Sequence, residues 1–239
     1  NSTNSDLTHS GQEIWGVSRI SGPIVVVEGM RGVAYDEVVQ IIDADGAVRH
    51  GRVLEVSEDT AVIEVFAGTT GLSIDDTRVQ FLGHPMRMPV AVEMLGRTFN
   101  GLGRPIDGGP SPLADRYVDI NGQPINPTAR RYPRDAIQTG ISALDGMNTL
   151  VLGQKLPIFS GSGLPHNLLA AQIVRQSTIA GTRQAEFAIV FAAMGIKHDV
   201  AEVFRSSFTE SGALTRAAIF LNLADDPPVV RFLGRHRKN

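Results

Sequence analysis

The chain has 239 residues, no cysteine, a formal net charge of −3, 42% hydrophobic residues and 20% charged residues. That composition is ordinary for a globular chain with a sizeable core and argues against disorder throughout. It excludes disulfide scaffolds, cysteine-ligated metal and a thiol nucleophile, and the slight acidity argues against a dedicated nucleic-acid binder.

Residues 1–12 are mostly Asn, Ser, Thr, Asp, Gly and Gln and read as a disordered arm with no secretory leader. Residues 13–83 read as a barrel of six short strands, at Val17–Ile20, Ile24–Val27, Val38–Ile42, Val48–Val56, Ala61–Phe66 and Val79–Leu82. Gly22-Pro23, Asp45-Gly46, Glu58-Asp59 and Asp75-Asp76 are among the turn signals between them. His50 and Arg52 read as solvated strand residues.

Residues 84–139 hold eight of the 13 prolines and read as an irregular connection with one helix, Val90–Arg97. From Gly140 the pattern changes. Leu156–Phe159 reads as a strand, Asn167–Ala180 as a helix with Leu169/Ile173 and Ala170/Val174 at i, i+4, and Phe187–Ala193 as a strand buried on both sides. Asp199 and Glu202 have capping-box spacing ahead of a second helix that Gly212 stops, and Ala217–Leu223 reads as another buried strand. This β-α-β-α-β order predicts an open parallel sheet, so residues 84–231 form an α/β domain and 232–239 an atypical tail. No run approaches the ~18 apolar residues of a membrane-spanning helix.

In such sheets ligands gather where a strand ends and a helix begins, because helix N-termini attract anions. The loop there is Ser160-Gly161-Ser162-Gly163-Leu164-Pro165-His166-Asn167. Against the phosphate-binding pattern G-x-x-x-x-G-K-[ST], Ser160 and Pro165 replace the two glycines, His166 the lysine and Asn167 the hydroxyl residue. Proline has no N–H to give a phosphate. Imidazole titrates near ~6.5 and is mostly neutral where lysine is a permanent cation. A glycine turn, a degenerate nucleotide site and a working phosphate loop all remain open from these residues. A hydrolase also needs a carboxylate to polarise water, and Met194-Gly195-Ile196-Lys197 after the next strand supplies none. No catalytic residue and no metal ligand is predicted.

The stretch Asn148–Asn167 with Ala170–Gln176 resembles the B subunit of V-type and archaeal-type rotary ATPases. So do Leu95-Gly96-Arg97, Phe99–Asp107, Phe191–Ile196 and Phe220–Pro227; the likeness runs from about Glu13 to Arg231. The degenerate loop sets that subunit apart from the catalytic A subunit. The resemblance implies a six-stranded barrel followed by an incomplete P-loop-type (RecA-like) α/β nucleotide-binding domain. It implies a non-catalytic, regulatory subunit alternating with catalytic A subunits in an A3B3 head, with central and peripheral stalks as further partners. The location would be cytoplasmic, meeting the membrane only through the ion-translocating sector, which carries H⁺ or Na⁺. Ser160, Gly161, Ser162, Gly163, Pro165, His166 and Asn167 would form a degenerate phosphate loop with weak or no ATP or ADP binding, and no cofactor is required. The family continues beyond Arg231 with further sheet strands, and the tail Phe232–Asn239 departs from it, as an expression boundary, a frameshift or a partial gene would produce. An unfinished sheet would leave its final strand as an exposed edge and make the isolated chain poorly soluble. The competing expectations are an autonomous hydrolase and a free-standing assembly module.

Overall fold

The computed structural model describes residues 11–122, 126, 128, 134–179 and 187–226. Most of the N-terminal arm, Pro124, Pro127, Pro133, Ala180 and the tail lie outside the described residues. Two compact units form: one comprises the described residues through Met88 with Val118–Asn121, the other Pro89–Tyr117 and the described residues of 122–226.

In the first unit β1 (Glu13–Trp15), β2 (Arg19–Ser21), β3 (Ile24–Glu28), β4 (Glu37–Ile42), β5 (Val48–Ser57), β6 (Thr60–Val65) and β7 (Arg78–Pro85) form one antiparallel sheet, ordered β1-β7-β4-β5-β6-β3-β2. Its two ends are consecutive in the chain. Gly16, at φ +80, breaks a single segment into β1, held on β7, and β2, held on β3. That segment closes the sheet into a barrel and accounts for six strands having been expected where seven ladder segments occur. Alternate residues fill the interior: Val25 and Val27, Val39 and Ile41, Ala61, Ile63 and Val65, Val79 and Phe81 are all 0–1% exposed. Each large side chain so buried contributes roughly 1.5–3 kcal/mol relative to exposure. The buried Glu37 carboxylate accepts from Ala34 N (2.9 Å) and Gly83 N (2.7 Å), tying β4 to the end of β7. Arg52 is not a solvated residue: it pairs with Glu64 at 3.1 Å and Asp36 at 3.5 Å across neighbouring segments.

The 84–139 segment is more regular than expected. It contributes β8 (Arg87–Val90), β9 (Thr98–Asn100), β10 (Arg116–Asp119) and β11 (Ala136–Gln138), whereas the expected helix at 90–97 reduces to a 3-10 turn over Val92–Met94. Gly96, at φ +83, stops that turn just before β9. Then come α1 (Ser142–Met147), β12 (Leu150–Val151), α2 (His166–Gln176), β13 (Thr178–Ile179), β14 (Ile189–Ile196), α3 (His198–Glu210) and β15 (Ala217–Leu223).

The parallel sheet is β14-β15-β9, and β11 pairs antiparallel with β12 and β13. Several expectations change here. Leu156–Phe159 has no strand partner; Pro157 lacks an N–H, and Phe159 is 91% exposed. The first helix ends at Gln176 because the β-branched pair Thr178-Ile179 joins β11. β14 is not buried on both sides, since Val190 is 63% exposed. Among the described residues the last strand is central, so the open edge belongs to β14 and not to β15. Only β14-α3-β15 remains of the expected alternation, and β9 supplies the third parallel strand from upstream. On one face Phe191, Phe204 and Phe208 cluster with centroids 4.8–6.0 Å apart; Phe99 stacks on Phe220 at 5.2 Å.

Candidate functional site

The glycine loop sits where the sequence places it, directly ahead of α2. Gly163 turns it at φ +84, and Pro165 is the residue before the first helical one, with no side-chain cap. Leu164 N donates to Gly161 O (3.4 Å), His166 N to Leu164 O (2.9 Å) and Leu169 N to Pro165 O (3.1 Å). Ser160 Oγ and His166 Nδ1 lie 2.9 Å apart, so these two side chains satisfy each other across the loop. Ser160 through His166 are exposed and Asn167 is half-buried. The structure thus brings Ser160 and His166 together and leaves Gly161, Ser162, Gly163, Pro165 and Asn167 as backbone and rim. No lysine or arginine lies between Leu156 and Asn167. The loop offers a helix N-terminus to an anion but no permanent cation, and one of its leading positions has no N–H.

The other end of α2 is anchored. Arg216 donates to Ser177 O (3.2 Å) and Arg175 O (3.0 Å), and its guanidinium lies 4.9 Å from the Phe187 ring centroid. A cation on the last carbonyls is the favourable sign for a helix C-terminus.

The carboxylates near β14 have structural tasks. Asp199 Oδ1 accepts from Val200 N at 2.9 Å, and Glu202 binds Arg205 at 2.6 and 3.0 Å, which holds its carboxyl below the usual range. The capping box is not formed: Lys197 occupies the cap position without a side-chain cap bond. Among the described residues no cluster of His, Asp and Glu is suited to a metal ion.

Sequence reading missed one constellation. Arg97 grips Asp107 through Nε (2.5 Å) and Nη2 (2.8 Å) and also reaches Pro110 O at 3.0 Å. The carboxylate accepts in addition from Gly109 N (3.0 Å) and Thr98 N (3.2 Å). The Arg97 hydrogen bonds, then those amides, hold Asp107 far below the usual carboxylate range. The Arg-(x)9-Asp spacing carries no helix or strand period; only the Gly101–Pro105 hairpin brings the pair together. Asp107 borders a cleft of about 270 Å³ with Thr98, Ile106, His198, Ala201, Glu202, Arg205, Leu221 and Leu223. No loop residue lines it, and both of its carboxylates are already engaged by arginines.

A closed barrel followed by a parallel α/β unit, with a glycine loop opening a helix, defines the class. The β-barrel domain of the ATP synthase alpha/beta family matches residues 17–83, and that family's nucleotide-binding domain matches residues 140–236. The chain belongs to the ATP synthase alpha/beta family. Within it, the chain is similar to the B subunits of archaeal A-type ATP synthases. It is 58% identical to that of Methanopyrus kandleri over 94% of this chain, 57% to that of Aeropyrum pernix over 93%, and 56% to that of Nitrosopumilus maritimus over 91%. It spans about half the length of two of these relatives, 48% and 47%, and 22% of the Methanopyrus protein.

Proposed function

We propose that the chain serves as the barrel-bearing portion of a B subunit in an archaeal- or V-type rotary ATP synthase. In this reading it is non-catalytic. It alternates with catalytic A subunits in the soluble head, meets the central and peripheral stalks, and couples ATP turnover to ion movement without entering the membrane. No helix among the described residues is long and apolar enough to cross one, which agrees with a peripheral position.

The observation that carries the non-catalytic role is the loop from Ser160 to Asn167. A triphosphate is held by backbone N–H groups and a fixed positive charge. Here the charge is absent, Pro165 removes a donor, and His166 is occupied by Ser160. No carboxylate directly follows Gly195 at the end of β14, where the sequence runs Ile196-Lys197-His198. The relatives' name supports the choice between the two head subunits.

The test is co-expression with a catalytic A subunit and measurement of ATP turnover. The reading requires a complex containing both chains and no turnover by this chain alone. Steady hydrolysis by the purified chain, abolished by His166→Ala, would instead establish an autonomous hydrolase.

A further inference from the structure

Two Asn-Gly pairs occur in the chain, Asn100-Gly101 and Asn121-Gly122. In such a pair the glycine amide nitrogen can reach the side-chain carbonyl carbon of the asparagine, because glycine has no Cβ to obstruct the approach. Asparagine is among the thermolabile residues. Folding treats these two pairs oppositely.

At the first pair the reacting groups are held. Asn100 lies in β9, and its Oδ1 accepts from Leu102 N (3.0 Å) and Arg104 N (2.9 Å). Its own N–H donates to Arg104 O at 2.9 Å, and Gly101 is buried. The side-chain amide cannot turn toward Gly101 without opening that hairpin.

The second pair is free to react. Asn121 follows β10, where Asp119 Oδ1 accepts its N–H at 2.8 Å. Asn121 and Gly122 are both exposed, and among the described residues no hydrogen bond engages Gly122 N. Gly122 sits at φ +68 with nothing within 4 Å of where a Cβ would stand, so its backbone has room to swing. One long contact keeps the Asn121 side chain: Nδ2 donates to Asp36 Oδ2 at 3.4 Å, within the same compact unit.

We propose that Asn121 is a site of spontaneous deamidation. Gly122 N attacks Asn121 Cγ, and the new C–N bond closes a succinimide ring. The Cγ–Nδ2 bond breaks, and ammonia leaves with the proton from Gly122 N. Water then opens the ring at either carbonyl, giving aspartate or isoaspartate. One water is consumed and one ammonia released, with no change of oxidation state. The product replaces a donor to Asp36 by a second carboxylate beside it. Asp36 already shares Arg52 with Glu64, so the added charge finds no cation of its own there and the like charges repel.

The experiment is peptide mapping by mass spectrometry of the full chain held in mildly alkaline buffer, both folded and in urea. In the folded chain Asn121 should convert at least about tenfold faster than Asn100, whose reaction must await local opening. In urea the two pairs should convert at similar rates. Isoaspartate, read by methylation with a protein isoaspartyl methyltransferase, should fall in Asn121→Gln. Equal rates in the folded chain, faster conversion at Asn100, or an Asn121 that stays intact while both pairs convert in urea would overturn the proposal. Asn121→Asp should melt below Asn121→Ala, which loses the same donor without adding charge; equal melting of the two would overturn the repulsion at Asp36.

Discussion

Restoring the missing chemistry of the glycine loop is the most informative perturbation. The triple change Pro165→Gly, His166→Lys and Asn167→Thr adds a backbone donor, a fixed cation and a hydroxyl at the start of α2. A charge-assisted bond from lysine to phosphate is worth about 1.5–3 kcal/mol and an added N–H bond about 0.5–1.5. Against this, the Ser160–His166 bond at 2.9 Å is lost; being exposed, it contributes a few tenths of a kcal/mol at most by the same reasoning. A lysine facing the positive end of the helix costs about 0.3–1 kcal/mol. The balance is about 1–4 kcal/mol, or about 5- to 1,000-fold in affinity. Calorimetric titration with Mg-ATP reads it directly: the parent chain should bind more weakly than about 1 mM, and the triple variant should bind in the micromolar range. His166→Lys alone should recover most of the gain. A variant that keeps the parent's melting profile but binds no tighter would refute the claim that charge and donor loss disable the loop.

Phe208→Ala removes a ring that is 0% exposed and lies 5.0 Å from Phe191 and 6.0 Å from Phe204; a loss of about 3–5 kcal/mol is expected in urea unfolding of the α/β unit, and a loss under 1 would show that the cluster is not a packed core. Gly51→Ala places a Cβ 2.6 Å from Glu64 O and 3.0 Å from Ile41 Cδ1, so the barrel should lose about 1–3 kcal/mol through forced backbone movement, read as a lower melting temperature; an unchanged temperature would mean the barrel gives way without cost. Asp107→Asn should cost about 1 kcal/mol at neutral pH, the partly exposed ion pair being discounted for solvent screening. The folded state holds the Asp107 proton affinity below its unfolded value, so its contribution is whole above the ordinary carboxylate range and is lost as pH falls beneath it. Urea midpoints of parent and variant should therefore converge on acidification, and a gap that stays constant from pH 7 to about pH 2 would contradict the ion-pair account.

The barrel was legible because its strands alternate and its turns are marked by Gly, Asp and Pro. Its closure was not, since Gly16 splits one apolar segment between two partners and nothing local reveals either. β9 was missed because Thr98-Phe99-Asn100 is only three residues long and gains its identity from β15. Leu156–Phe159 shows the opposite error: an apolar run states a preference for burial but supplies no partner, and Pro157 weakens any ladder. The place of the glycine loop ahead of α2 was readable from pattern, because Gly and Pro mark the turn that precedes a helix. The Ser160–His166 and Arg97–Asp107 contacts were not, because each depends on how a glycine turn closes.

The central claim is that this chain acts through a catalytic partner and not through its own loop. Co-expression with a catalytic A subunit, followed by isolation and a turnover assay of each species, tests it most directly. The account predicts that both chains co-elute, that ATP hydrolysis appears only in that species, and that His166→Ala leaves it unchanged. Turnover by this chain alone that is lost in His166→Ala, or failure of the two chains to associate, would contradict it.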